Sequence, residues 1–342
     1  MKKTFIIAEA GVNHNGDLRI AKKLVDIAAA AGADAIKFQT FKTENLVSRS
    51  AQKAEYQKTT TWKTETQFEM LKKLELPFYA YRELFYYCKE KNIVFMSTPF
   101  DIESVDMLDN LGMTIFKIPS GEITNKPLIK YIAAKKKPVI LSTGMSYIGE
   151  VEKAISWINE IWNSLNVKPQ LTLLHCVSNY PSAVEDVNLL AIKTMEMVFK
   201  LPVGYSDHTM GIEIPTAAVA MGAVVIEKHF TLDRNMSGPD HKASLDPCEL
   251  NAMVKAIRNV EKAMGDGVKR PASNEQDTRD MARRSLVVKR DMKIGEIISL
   301  DDIAIKRPGT GIKPEFMEVV AGMKITRDIS SDSVITWEMI KK

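Results

Sequence analysis

Cysteine is scarce in this chain of 342 residues: Cys88, Cys176 and Cys248 are the only three. Their number is odd and their spacing wide. Neither a disulfide framework nor a cysteine metal motif is supported, and a reducing, cytoplasmic setting is the expectation. Long apolar runs are missing too. No stretch approaches the roughly 20 apolar residues of a membrane-crossing helix, so no membrane association is expected. The opening Met1-Lys2-Lys3-Thr4-Phe5-Ile6-Ile7 begins like a secretory signal, but Glu9 interrupts the apolar run too early for one. A block of one charge sign is also lacking. The net charge is +4 and the signs alternate along the chain, which leaves nucleic-acid binding without support. A mild positive excess suits an anionic small substrate.

What is present is an alternation. Short apolar, often β-branched runs fall at 4–9, 35–40, 93–98, 115–118, 138–142, 171–176, 203–206 and 224–229. Segments with helical spacing lie between them, as at 18–31, 150–162 and 212–221. Strands separated by helices imply a parallel sheet of α/β class. Eight such units in roughly 250 residues match a closed (β/α)8 TIM barrel better than an open sheet. The barrel is expected over 1–265. A polar, breaker-rich linker follows over 266–284. Apolar patterning resumes at Ser285-Leu286-Val287-Val288. The 285–342 stretch is short enough to be marginal alone and is expected to dock on something larger.

Several strands run directly into polar residues at their C-terminal ends, the end of a barrel where chemistry sits. Residues two apart on a strand share a face. That pairs Lys37 with Gln39, Ser206 with His208 and Glu227 with His229. His208 and His229 follow the seventh and eighth strands, which are neighbours in a barrel. They are a candidate pair of ligands for one divalent cation, with Asp207 and Glu227 as possible orienting partners. Hydrogen-bonded structural histidines are the other reading. Lys37 and Lys117 end the second and fourth strands, where burial without an anion is costly. With Ser120, Ser142, Ser206 and glycine-flanked amides they form a candidate cradle for phosphate or carboxylate; exposure at the rim is the plainer alternative. Glu9 precedes the loop Gly11-Val12-Asn13-His14-Asn15-Gly16, which suits sugar hydroxyls or serves only as a turn. Glu122 and Asp240 are further carboxylates at the mouth. The eighteen methionines read as core filler, and Cys176 as a shielded, inert thiol.

Nine segments, in order, resemble the bacterial N-acetylneuraminate synthase family, which includes N,N'-diacetyllegionaminate synthases. They are Glu9-Ala10-Gly11-Val12-Asn13-His14-Asn15-Gly16, Lys37-Phe38-Gln39-Thr40, Ser97-Thr98-Pro99-Phe100, Lys117-Ile118-Pro119-Ser120-Gly121-Glu122, Leu141-Ser142-Thr143-Gly144-Met145, Ser206-Asp207-His208, Glu227-Lys228-His229-Phe230, Gly238-Pro239-Asp240-His241 and Lys306-Arg307-Pro308-Gly309. The resemblance implies a (β/α)8 barrel followed by a small antifreeze-like (SAF) domain. It implies a domain-swapped homodimer in which that domain caps the partner's barrel and brings Arg307 to its sugar site. It further implies condensation of phosphoenolpyruvate with an N-acetylated amino sugar and release of phosphate. Lys37, Lys117, Ser120, Ser142, Ser178 and Ser206 would hold phosphoenolpyruvate; the family often has Asn or Thr in place of Ser178. His208 and His229 would hold Mn²⁺ or Mg²⁺. Glu122 would handle the attacking water, and Glu9, Gln39, Tyr180 and Asp240 would contact the sugar. The segment 236–244 is similar to that of neuraminate and legionaminate synthases, and less like pseudaminate synthases. The sugar itself, N-acetylmannosamine or 2,4-diacetamido-2,4,6-trideoxymannose, stays open. A phosphoenolpyruvate-dependent sugar-phosphate aldolase would need a second basic pair that the sequence does not offer. A non-catalytic sugar-binding barrel would have no need to keep Lys37, Lys117, His208 and His229 together.

Overall fold

A computed structural model describes residues 3–54, 57 and 65–342. Its strands are β1 (Phe5–Gly11), β2 (Ala35–Thr40), β3 (Val94–Pro99), β4 (Phe116–Ile118), β5 (Val139–Ser142), β6 (Leu171–Cys176), β7 (Val203–Asp207) and β8 (Val225–His229). All pair in parallel, in the order β3-β2-β1-β8-β7-β6-β5-β4. β3 and β4, at the two ends of that order, also lie side by side, so the ring closes. The expected barrel is therefore formed.

Strand periodicity decides what fills it. Ile7, Ala35, Met96, Ile140, Leu174 and Val225 come from six strands and cluster as one buried apolar plug. Residues from so many strands meet only inside the ring. Two positions further along those strands stand Glu9, Lys37, Thr98, Ser142, Cys176 and Glu227, which share the same inward face. A polar layer thus lies directly above an apolar one. The residues between, such as Ile6, Ala8, Ile36, Phe38 and Ile226, point outward and join the main core against the helices.

The crossover helices begin and end on local signals. Asp101 caps the helix Ile102–Leu111 by accepting from the Ser104 N–H at 2.7 Å, and Gly112 closes it at φ 95°. Asp246 and Glu249 form a capping box around Pro247–Ala263. Among the described residues, no helix is long and apolar enough to cross a membrane.

The chain divides into two compact units, Met1–Asp266 and Gly267–Lys342. The second has its own core, made of Leu286, Val288, Met292, Ile298, Ile303, Ile312 and further aliphatic residues. β9 (Ser285–Val288) pairs antiparallel with β10 (Ile303–Lys306), and β11 (Lys324–Ile325) with β12 (Ile340–Lys341). The stretch expected to be a plain linker carries a short helix, Gln276–Ala282.

Closure leaves little room on β7. A Cβ at Gly204 would stand 2.4 Å from the Val225 carbonyl oxygen and 2.7 Å from Leu174 Cδ2. Backbone cannot easily yield there, so Gly204→Ala is expected to cost about 2–3 kcal/mol, read as a lower midpoint in urea. An unchanged midpoint would contradict this packing of β7 against β8.

Candidate active site

The register of four neighbouring strands builds the centre. Glu9 on β1 is level with Lys37 on β2 and with His229 on β8. Glu227 on β8 is level with Ser206 on β7. Lys37 Nζ lies 2.7 Å from Glu9 Oε2 and 3.7 Å from Glu227 Oε2, and donates to Thr98 Oγ1 at 3.0 Å. Lys117 Nζ donates to Glu227 Oε1 at 3.1 Å, and the Ser206 hydroxyl donates to the same oxygen at 3.1 Å. Both lysines and both carboxylates are buried. The rim-exposed alternative for the lysines is excluded, and their counter-charges come from the protein.

Electrostatics sets the four groups apart. For Glu9, burial outweighs Lys37 and raises the carboxyl to about 7. For Glu227, burial is overcome by Lys117 and then Lys37, and the group is held down at about 2. Burial also pulls Lys37 down, but Glu227 and Glu9 prevail and raise it. Burial wins at Lys117, where Glu227 is the main opposing influence, and its pKa is lowered. Lys117 is thus the ammonium left short of negative charge.

The two histidines stand beside this cluster, their ring centroids 5.5 Å apart. His208 Nδ1 lies 2.6 Å from the Val177 carbonyl oxygen. A carbonyl only accepts, so Nδ1 carries the proton and Nε2 keeps its lone pair. Burial lowers both imidazoles, His229 well below the usual range, where His208 and Lys37 add to the effect. Both are therefore neutral, the state a metal ligand needs. Tyr180 lies 4.1 Å from the His208 ring and 5.7 Å from that of His229. Three buried polar atoms here have no hydrogen-bond partner: Ser142 Oγ, Glu227 Oε2 and His229 Nδ1. Unsatisfied buried groups in one place need a polar occupant. These donors fit a divalent cation and an anionic substrate. Among the described residues, no third His, Cys, Asp or Glu groups with the pair.

A cavity of about 440 Å³ collects most of the expected residues: Glu9, Lys37, Gln39, Lys117, Ser120, Ser142, Ser178, Tyr180, Ser206, His208 and His229. Ser120 Oγ accepts from the Gly144 N–H at 3.0 Å and lies 3.1 Å from Cys176 Sγ. A Cβ on Gly144 would come within 2.3 Å of Ser178 Oγ, 2.8 Å of Cys176 Sγ and 2.9 Å of Ser120 Oγ. The glycine allows those side chains to converge.

Other expected residues stand apart. Glu122 does not line the cavity, and its carboxylate accepts from Asn125 at 2.6 Å. Asp240 is buried beside the cavity, 3.9 Å from His229 Nδ1, and burial raises it to about 6. Of the two possible roles for Asp207, the structure favours the salt bridge over orienting an imidazole: it binds Tyr205, Thr209 and Lys228. Arg307 lies exposed in the second unit. Sequence reading undervalued Glu227, which the structure makes the hub of the charged layer, and passed over Thr98. Inward alternation along β8 and β3 was the available signal for both.

The comparisons with known proteins agree with this arrangement. Residues 24–269 match the NeuB family and residues 283–341 the SAF domain. The chain is 53% identical to the N,N'-diacetyllegionaminic acid synthase of Campylobacter jejuni, over 98% of this chain and 99% of that one. It is 49% identical to the enzyme of the same name from Legionella pneumophila, over 98% of this chain and 94% of that one. Among solved structures, the N-acetylneuraminic acid synthetase of Leptospira borgpetersenii superposes with a TM-score of 0.70 at 38% identity, covering 81% of this chain and 90% of that chain.

A carboxyl raised from 4.5 to about 7 by folding binds its proton more tightly in the native state. Its contribution to stability is complete below pH 4.5 and is lost as pH rises through 7. Glu9→Gln cannot titrate. The stability of wild type relative to Glu9→Gln should therefore fall by up to ~3 kcal/mol between those pH values, measured by urea unfolding across the range. A gap independent of pH would show that Glu9 does not titrate there.

Proposed function

The chain belongs to the NeuB family, and from that premise we propose that it joins phosphoenolpyruvate to 2,4-diacetamido-2,4,6-trideoxymannose, giving N,N'-diacetyllegionaminate and phosphate. It is an enzyme, a nonulosonic acid synthase. The single observation that carries the chemical reading is the pair of neutral imidazoles, 5.5 Å apart, beside the buried Lys37–Lys117 cluster. Identities of 53% and 49% to two legionaminic acid synthases, against 38% to an N-acetylneuraminic acid synthetase, favour the diacetamido sugar.

In this reading Lys117, deficient in counter-charge, takes the anion of phosphoenolpyruvate, with Lys37 and the hydroxyls of Ser120, Ser142, Ser178 and Ser206 around it. His208 and His229 would hold Mn²⁺ or Mg²⁺, which would supply Lewis acidity toward a carbonyl oxygen. Gln39, Tyr180 and Asp240 border the space for the open-chain sugar. C3 of phosphoenolpyruvate attacks the aldehyde carbon, and the aldehyde oxygen gains a proton. Water adds at C2, and phosphate departs with cleavage of the C–O bond. Glu9 is better placed than Glu122 to exchange these protons. It lines the cavity, and its pKa near 7 suits a group that both gives and takes a proton. Arg307, exposed in the second unit, is assigned to the sugar site of a second copy in a domain-swapped dimer. Its three cysteines form no disulfide, in keeping with a proposed cytoplasmic setting.

Single-turnover product analysis with both sugars tests the substrate. The diacetamido sugar is expected to be consumed at least about tenfold faster than N-acetylmannosamine, a local pocket difference of ~1.4 kcal/mol; the reverse order would reject the legionaminate assignment. Arg307→Ala is expected to raise the sugar KM with little change in the KM for phosphoenolpyruvate. Wild-type kinetics in that variant would remove Arg307 from the site.

A further inference from the structure

Behind the two histidines, on the outer side of the barrel wall, lies a buried ion pair that the chemistry above does not use. Glu227 and His229 face inward, so Lys228 between them faces outward. It is level with Asp207 across the β7–β8 ladder, and each residue is 1% exposed. The Lys228 ammonium donates to Asp207 Oδ2, and again to the Thr209 carbonyl at 2.6 Å. Asp207 Oδ1 accepts from the Thr209 N–H at 3.0 Å, the Thr209 hydroxyl at 2.9 Å and the Tyr205 hydroxyl at 3.0 Å.

Asp207 and Thr209 are the residues on either side of His208. One ammonium therefore fixes the chain before and after that histidine. The same ammonium belongs to the residue preceding His229, so it ties the turn carrying one imidazole to the strand carrying the other. The remaining freedom of His208 is removed from the opposite side: its ring donates to the Val177 carbonyl, and its own carbonyl accepts from the Ser182 N–H at 2.8 Å. A buried ion pair gives no general stability advantage over apolar side chains of similar volume. Its multiple bonds to one short turn do give position.

We propose that Asp207 and Lys228 are positioning residues that hold His208 and His229 at the separation needed to share one divalent ion. The proposal rests on the reading of those histidines as metal ligands. Its test uses the full-length protein and Mn²⁺ alone, with free ion followed by electron paramagnetic resonance and folding by thermal midpoint. Wild type is expected to bind Mn²⁺ and His208→Ala to lose that binding. The paired variant Asp207→Leu with Lys228→Met, which replaces the ion pair by apolar groups, is expected to unfold cooperatively within a few degrees of wild type yet bind Mn²⁺ roughly 10–100-fold more weakly. Wild-type affinity in the folded paired variant would overturn the proposal. Should the paired variant not fold, Asp207→Asn decides, since it keeps the side-chain shape and removes the charge. A loss of about tenfold or more supports positioning, and unchanged affinity refutes it. Undiminished binding in His208→Ala would instead remove the metal reading, and the proposal with it.

Discussion

Glu227 lies between the ammonium groups of Lys37 and Lys117, and the upper interior of the barrel depends on that arrangement. Two buried lysines would be untenable alone. With Glu227 and Glu9 beside them, the two ammonium groups find their counter-charge within the protein. Breaking such a cluster by removing one member leaves an uncompensated buried charge, which is far more damaging than the absence of the whole set. The cluster stands on an apolar plug, so the lysines cannot sink towards the far end of the barrel. They are held at the level where β1, β2, β7 and β8 present the rest of the site.

The same cluster divides the carboxylates by role. Glu227 has both lysines near it and stays ionised. Glu9 feels burial more than Lys37 and moves towards neutrality. Two like groups on adjacent strands thereby acquire different protonation behaviour from their surroundings alone. Lys117, with the weaker compensation, remains receptive to an incoming anion. On the other side of the wall, Asp207 and Lys228 repeat the pairing of buried opposite charges, with their bonds turned to the backbone around His208.

Much of this was legible in the sequence. Strand periodicity identified the eight units, and the polar residues at their ends named most of the cavity: Lys37, Lys117, Ser142, Ser206, His208 and His229. Nine family-like segments pointed to the chemistry of phosphoenolpyruvate and an amino sugar, and the relatives bear out a nonulosonic acid synthase. Other features were less visible. Glu122 was expected at the mouth, but it ends a short 3₁₀ turn and Asn125 holds its carboxylate. Asp207 could be read as an orienting partner for an imidazole or as an ordinary salt-bridge residue; the outward phase of β7 sends it to Lys228. The linker's helix escaped notice because seven residues carry too little periodicity to register.

By itself, the sequence determined the alternation of strand and helix and the two-residue phase of each strand. Those are local properties, set by side-chain direction and backbone preference. It therefore determined which residues face the inside of the ring. Only the tertiary structure decided their neighbours. Closing the ring sets Glu9 beside His229, some 220 residues away along the chain, and brings Glu227 within reach of Lys117. Charge in a buried space responds to whatever lies within a few ångströms, regardless of chain separation. The hub at Glu227, the near-neutral Glu9 and the outer clamp on His208 are all consequences of that proximity.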